Sequence, residues 1–275
     1  MECKIKVDSK EESMNEYIKI IGGGLAGCEA AYQIAKRGIK VKLYEMKPIK
    51  FSEAHSNKNL AEIVCSNSFK SNNIASACGL LKEELRILDS LLIKIADKVA
   101  VPAGQALAVD REKFAEEVTK YMKQNENIEI INEEIGEKTT LEKLASEGIV
   151  MIATGPLTSE KLADEISKIT GKDRMFFYDA AAPIIEADSI DMNIAFMGDR
   201  YGKGDSNYIN LPMNKEEYER FYTNLIAAEI AELHDFEKRE IFESCMPIEV
   251  MAKRGADTIR FRTIKTSRVY RSENK

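Results

Sequence analysis

The chain has 275 residues, enough for one large domain or two smaller ones, with 44% apolar and 31% charged residues. A net charge of −6 excludes a global basic field of the kind that announces a nucleic-acid binder, though not a local patch. No apolar run approaches the roughly 20 residues of a membrane helix, and the N-terminus "MECKIKVDSKEESMNEY" lacks the apolar stretch of a secretory signal, so a cytoplasmic protein is expected.

Five cysteines, Cys3, Cys28, Cys65, Cys78 and Cys245, match no zinc spacing. Two histidines, His55 and His234, leave little for a histidine-based metal site or hydrolytic triad, and no metal is expected. The thiols are expected to be reduced, with Cys3, Cys28 and Cys78 buried for packing.

Residues 1–13 read as a polar, disordered extension, and Met14 is a second candidate start. Tyr17 to Ile21 then reads as a short buried strand. Gly22, Gly24 and Gly27 fit G-x-G-x-x-G, Ala30, Ala31, Ile34 and Ala35 give a helix its apolar face, and Gly38 ends it. Lys40 to Tyr44 is a second strand with Glu45 at its end. Fingerprint and context together predict a dinucleotide site. Gly22 permits the tight turn, Gly24 admits a pyrophosphate and Gly27 lets helix and strand pack closely. The helix N-terminus stabilises phosphate charge, and Glu45 accepts hydrogen bonds from a ribose.

The stretch "CGLLKEELRILDSLLIKIADKV" places Leu81, Leu85, Leu88, Leu92 and Ile95 on one stripe and predicts a core helix. "VPAGQALAVD" reads as a loop and an extended piece, followed by a helix from about Arg111 with Asp110 as candidate cap. Ile128 to Ile131 and Ile149 to Ala153 read as strands, the second broken by Thr154, Gly155 and Pro156. A strand ending in A-T-G is similar to the second sequence mark of the glutathione-reductase-like FAD fold. That likeness selects FAD and adds Thr154 and Gly155 to the expected cofactor-binding residues. From about Lys161 helices and loops prevail, including a helix after Asn214 as cap. The fold expected is α/β, a Rossmann-like FAD-binding domain over 14–160 with a helical or mixed insertion domain over 161–261.

Two cysteines have distinctive neighbours. Cys65 in "AEIVCSNSFKSN" lies between an apolar run and a Ser/Asn cluster, where packing is the commoner role. Cys245 in "ESCMPIEVMAKRG" precedes Lys253 and Arg254, and a thiol near cations is activated towards the reactive range. With "GLLKEELRILDS", "VPAGQALAVDR", "ATGPLTS", "FYDAAAPIIEADSIDM" and "RYGKGDSNYINLPM", these stretches resemble the folate- and FAD-dependent tRNA (uracil-5-)-methyltransferases over residues 18–262, in family order.

The resemblance implies that FAD, bound at Gly22, Gly24, Gly27 and Glu45 and reduced by NADH or NADPH, takes a methylene from 5,10-methylenetetrahydrofolate and supplies reducing equivalents. The acceptor implied is carbon 5 of the T-loop uridine of tRNA. Cys245 is then the nucleophile at uracil carbon 6, and Cys65 the base or second thiol that removes the carbon 5 proton. Lys70, Lys82, Arg86, Lys253 and Arg254 are candidate tRNA contacts. Alternatives are methylation of a ribosomal RNA uridine, a truncated and inactive relative with impaired flavin binding, and a generic FAD oxidoreductase that leaves the cysteine motifs unexplained.

The sequence departs from the family pattern in places. Ser244 precedes Cys245 where the family has glycine, Gln105 stands in the family's P-A-G-G, and Leu211 replaces a cysteine. After "AKRG" the family's C-terminal return to the flavin domain is expected to be missing, and Arg262 to Lys275 depart from F-G-P-x-K-P-V-G. One choice of codons for this tail, read one base on, gives GPLKPVGFIDPKT. A single-base frameshift at about Arg262 is therefore expected, with 262–275 a non-native or disordered tail.

Overall fold

The structure is a computed structural model that describes residues 17–52, 54–64, 66–171, 186–198, 208–229 and 248–259. In chain order its main elements are β1 (Tyr17–Ile21), α1 (Leu25–Ala35), β2 (Lys40–Glu45), β3 (Ser68–Ser71), α2 (Ala77–Ile87) and α3 (Leu91–Lys98). There follow β4 (Ala100–Val101), β5 (Ala106–Val109), α4 (Arg111–Gln124), β6 (Ile128–Asn132), α5 (Leu141–Ser146) and β7 (Val150–Ile152). The last are α6 (Glu160–Thr170), β8 (Phe196–Gly198), β9 (Tyr208–Asn210), α7 (Lys215–Ala227) and α8 (Ile248–Lys253). The chain divides into two compact units, 1–62 with 90–95 and 112–175, and 63–89 with 96–111 and 176–275.

The first unit holds a parallel sheet in the order β6-β2-β1-β7. Alternation along β1 sends neighbouring side chains to opposite faces. Ile20, fully buried, faces α1: its Cγ2 lies 3.5 Å from where a Cβ at Gly27 would sit. On that face Tyr32 of α1 meets Tyr121 of α4 edge-on at 5.4 Å. Ile21 and its register partner Tyr44 take the other face, in a buried cluster with Ile135, Leu141, Leu144 and Leu162. Lys19 is also buried, and its ammonium donates to Leu144 O at 3.2 Å and lies 3.6 Å from Glu147.

The buried face of α1 is Gly27, Cys28, Ala31, Tyr32 and Ala35. Ala30 and Ile34, expected on it, are only half-buried, because Gly27 must face β1. Gly38 follows the helix at φ 78° and donates to Ala35 O, as the sequence predicts.

The single core helix expected over "CGLLKEELRILDSLLIKIADKV" is a pair instead. Asp89 at φ 63° separates α2 from α3, and Leu81 and Leu88 are exposed while Leu92 and Ile95 are buried. Ser90 supplies the reason: its hydroxyl accepts from Ile93 N–H and donates to Glu29 of α1, which also accepts Leu92 N–H. Ser90 thus starts α3 afresh, with its first turn bonded to α1.

In the second unit β3-β5-β4 form an antiparallel sheet and β8-β9 a two-stranded one. Tyr208 of β9 donates to Ala103 O at 2.7 Å, and Asn72 N–H donates to Gln105 O at 2.6 Å, so the loop 102–105 is held at two points. Gln105 itself is exposed. The capping box expected of Asn214 is present, with Glu217 as its partner. Tyr222 of α7 donates to Ala252 O of α8 at 3.0 Å. Among the described residues no helix is long and apolar enough to cross a membrane, and no group of three or more His, Cys, Asp or Glu is placed to hold a metal.

Candidate dinucleotide site

The six residues singled out for a cofactor all lie at the carboxyl end of the parallel sheet, beside its central strand. Gly22, at φ 107°, turns the chain out of β1, a conformation that favours glycine. A Cβ there would lie 2.7 Å from Ala153 O and 2.9 Å from Thr154 Cα, so the turns after β1 and β7 are in contact. At Gly27 a Cβ would lie 1.8 Å from Gly22 O, which is impossible without moving the helix. At Gly24 it would meet nothing within 4 Å. Gly22 and Gly27 are therefore glycines by internal packing, whereas Gly24 faces open space.

That space lies at the N-terminus of α1. Gly24 is the N-cap, offers no side-chain capping bond, and is followed by a first turn with no acidic residue. The helix's own first turn thus brings no negative charge to the positive end of its dipole, an arrangement that suits a phosphate. Beyond the β7 turn Gly155, at φ 64°, also faces open space, while Thr154 and Thr158 share a hydroxyl hydrogen bond of 2.6 Å. A cradle with an open glycine, a bare helix end and a carboxylate at the tip of the next strand fits a dinucleotide.

The carboxylate is more constrained than the sequence suggests. Glu45 is buried, accepts Gly23 N–H at 2.7 Å through Oε2 and Lys47 N–H at 2.9 Å through Oε1. Each carboxylate oxygen has a further lone pair for a hydroxyl. Lys47, Asn57, Asn59, Glu62 and Asn132, all tied to this region, carried no sequence signal. Lys47 looks like any surface lysine, and its partners lie 10 to 15 residues along the chain.

Cys28 behaves as the packing residue expected. Its thiol is fully buried, donates to Gly23 O at 3.3 Å, and is pushed up from 9.0 to about 12, chiefly by burial and then by the Glu45 charge. Unfolded Cys28 ionises near 9.0 and folded Cys28 near 12, so between these values the folded state holds the extra proton. Stability from this thiol is complete below pH 9.0 and is lost as pH rises towards about 12. In melts at stepped pH, the stability of wild type relative to Cys28→Ala is expected to fall above pH 9.0; a constant difference would contradict the assignment.

The two cysteines singled out for chemistry, Cys65 and Cys245, lie outside the described residues. The cationic candidates divide. Lys82 is 4% exposed and donates to Ser71 O and Cys78 O, both at 2.8 Å, so its charge is turned inward and is withdrawn as a phosphate contact. Arg86 forms a two-pronged pair with Asp97, both bonds 2.8 Å, which raises its pKa, and also bonds Glu83 and Asn72. Lys70, Lys253 and Arg254 are exposed.

A parallel sheet with a glycine-rich first turn at a helix N-terminus and an acid ending the second strand defines a Rossmann-like protein of the dinucleotide-binding class. Within that class the chain belongs to the family described as glucose inhibited division protein A, which matches residues 17–274. That range runs through the segment after Arg262 expected to be out of frame, and so lends the frameshift no support.

Its relatives include proteins named methylenetetrahydrofolate–tRNA-(uracil-5-)-methyltransferase TrmFO. That of Acetivibrio thermocellus is 58% identical over 252 residues, covering 92% of this chain and 56% of the relative. That of Fusobacterium nucleatum is 58% identical over 252 residues, 92% and 57%, and that of Bacillus mycoides 53% identical over 250 residues, 91% and 56%. The chain thus spans little more than half the length of these relatives. A solved structure of Aquifex aeolicus GidA covers 45% of this chain at 21% identity and a TM-score of 0.35, too distant for its geometry to be carried over.

Proposed function

We propose that the chain carries the dinucleotide site and both thiol motifs of a folate- and FAD-dependent tRNA (uracil-5-)-methyltransferase. The observation that carries this reading is the open cradle at Gly24 on the α1 N-terminus, in a chain 58% identical to proteins named for that activity. FAD would be held at Gly22, Gly24, Gly27, Glu45, Thr154 and Gly155, and when bound would relay the one-carbon unit and the reducing equivalents from NADH or NADPH.

The chain's own residues act on the uridine. The Cys245 thiolate adds to carbon 6, forming a carbon–sulfur bond and moving the carbon 5–carbon 6 electron pair into an enolate. Carbon 5 then attacks the one-carbon unit originating in 5,10-methylenetetrahydrofolate. Cys65 takes the carbon 5 proton, the thiolate of Cys245 leaves, and the bond from the new methylene to its carrier breaks as a hydride equivalent, which would be drawn from NADH or NADPH by way of FAD, completes the methyl group. The RNA is tRNA, through its T loop, in a cytoplasmic setting. Exposed Lys70, Lys253 and Arg254 are the remaining candidates for its phosphates.

Incubation of the purified chain with FAD, NADPH, 5,10-methylenetetrahydrofolate and a tRNA transcript, beside a ribosomal RNA fragment, tests the proposal. 5-Methyluridine in the tRNA alone supports it; methylation of the ribosomal fragment instead replaces the substrate.

One observation favours a second reading, in which this chain holds flavin weakly and transfers no methyl group. Among the described residues β7 has no partner on its outer side, and Ile149, Met151 and Ile152 are exposed there. An open apolar edge favours self-association over a stable flavin domain. A colourless, aggregating product would decide for it.

A further inference from the structure

Lys47 stands two residues beyond β2 with its side chain 4% exposed. Its ammonium donates to Asn57 O at 3.0 Å, Asn59 O at 2.7 Å and Glu62 Oε2 at 3.0 Å. Glu62 in turn accepts the N–H groups of Ser56 at 2.9 Å and Asn57 at 3.0 Å. Burial alone would raise the Glu62 carboxyl, but its bonds from Ser56, Lys47 and Asn57 outweigh that and lower it. Residues 55–62 are thus a loop closed around one buried cation.

This loop is a strap across the fingerprint. Ala61 N–H donates to Gly23 O at 2.8 Å, and a Cβ at Gly23 would lie 2.6 Å from Leu60 Cδ2. Glu45, which accepts the Lys47 N–H, also accepts the Gly23 N–H. Asn132 donates to Lys47 O. The carbonyl of Gly23, the residue before the open cradle, is therefore fixed by the strap that the Lys47 ammonium closes, and its N–H by Glu45, which the Lys47 main chain also bonds. A buried ion pair adds little net stability over an apolar pair of the same shape. What Lys47 supplies is the geometry of the strap.

We propose that Lys47 is a positioning residue for the dinucleotide: by closing residues 55–62 on its ammonium it holds the Gly23–Gly24 peptide in the phosphate-accepting conformation. The proposal rests on reading the fingerprint as an FAD site. The Lys47 ammonium bonds the strap, so its loss acts through the loop.

The test uses the full 275-residue chain. Lys47→Met is compared with wild type for FAD affinity, by quenching of flavin fluorescence, and for amide hydrogen exchange without FAD. Exchange is expected to quicken over 55–62 and to stay unchanged in β2 and α4. The FAD dissociation constant is expected to rise on the order of tenfold or more, the scale of a lost supporting contact. Lys47→Arg, which keeps a cation and several donors, recovers most of the affinity. Lys58→Ala, an exposed change within the strap, leaves it unchanged.

Lys47→Met binding FAD as tightly as wild type overturns the positioning role while the FAD reading stands. Loss of protection throughout β2 and α4 also overturns it, because Lys47 is then a general structural residue. A folded wild-type chain that takes up no FAD overturns the FAD reading itself, and the positioning role with it.

Discussion

Gly27→Ala is expected to destabilise the first unit by roughly 3 kcal/mol or more and to abolish flavin binding, whereas Gly24→Ala abolishes flavin binding alone. The first figure is at the upper end of what inserting a methyl group into packed structure costs. It applies because the group that the new Cβ meets, Gly22 O at 1.8 Å, is backbone and has no rotamer into which to retreat. Relief requires α1 to move away from β1, and that movement opens the turn on which the dinucleotide would sit. At Gly24 the backbone is at φ −75° and ψ −168°, which alanine adopts without strain, and its Cβ meets nothing within 4 Å. The new methyl group then occupies the space left for the pyrophosphate. Denaturant unfolding and flavin binding of both variants check this. Equal loss of stability would show that Gly24 is a packing glycine like Gly27.

Cys245→Ser is expected to reduce methyl transfer by roughly 10³-fold or more, the scale of removing a covalent nucleophile, and to leave flavin binding unchanged. A serine hydroxyl is a far weaker nucleophile than a thiolate, and uracil carbon 5 does not attack until carbon 6 is occupied. Transcripts carrying 5-fluorouridine add a second readout. Fluorine replaces the proton that must leave, so the thiolate adduct persists and can be seen as a protein–RNA band under denaturing conditions. Wild type and Cys65→Ser are expected to give the band and Cys245→Ser to lose it. A band retained in Cys245→Ser and lost in Cys65→Ser would exchange the two roles.

The parts of this fold legible in the sequence are those where backbone geometry dictates residue type. Gly22 and Gly27 could be read because no side chain fits there, and Glu45 because strand length places it at the tip of β2. The α7 start was legible from Asn214, whose cap and Glu217 partner are local. The break between α2 and α3 was not. Asp89 takes a positive φ without a glycine to mark it, and its cause, Ser90 bonded to Glu29, spans 61 residues. For the same reason Lys47 carries no mark in the sequence and Lys82 reads there as a surface cation. A lysine's sequence position says nothing of which way its ammonium turns, and both are buried on carbonyls that the chain brings from elsewhere. The roles of Cys65 and Cys245 came from family likeness rather than from their local pattern.

The most direct test is the visible spectrum of the purified chain after incubation with FAD and removal of free flavin, recorded beside Gly24→Ala. Flavin bands close to one equivalent are expected in the folded wild-type chain, and their loss in a Gly24→Ala chain that remains as stable as wild type. A folded but colourless wild-type chain, or a Gly24→Ala chain that retains the same flavin, would contradict it.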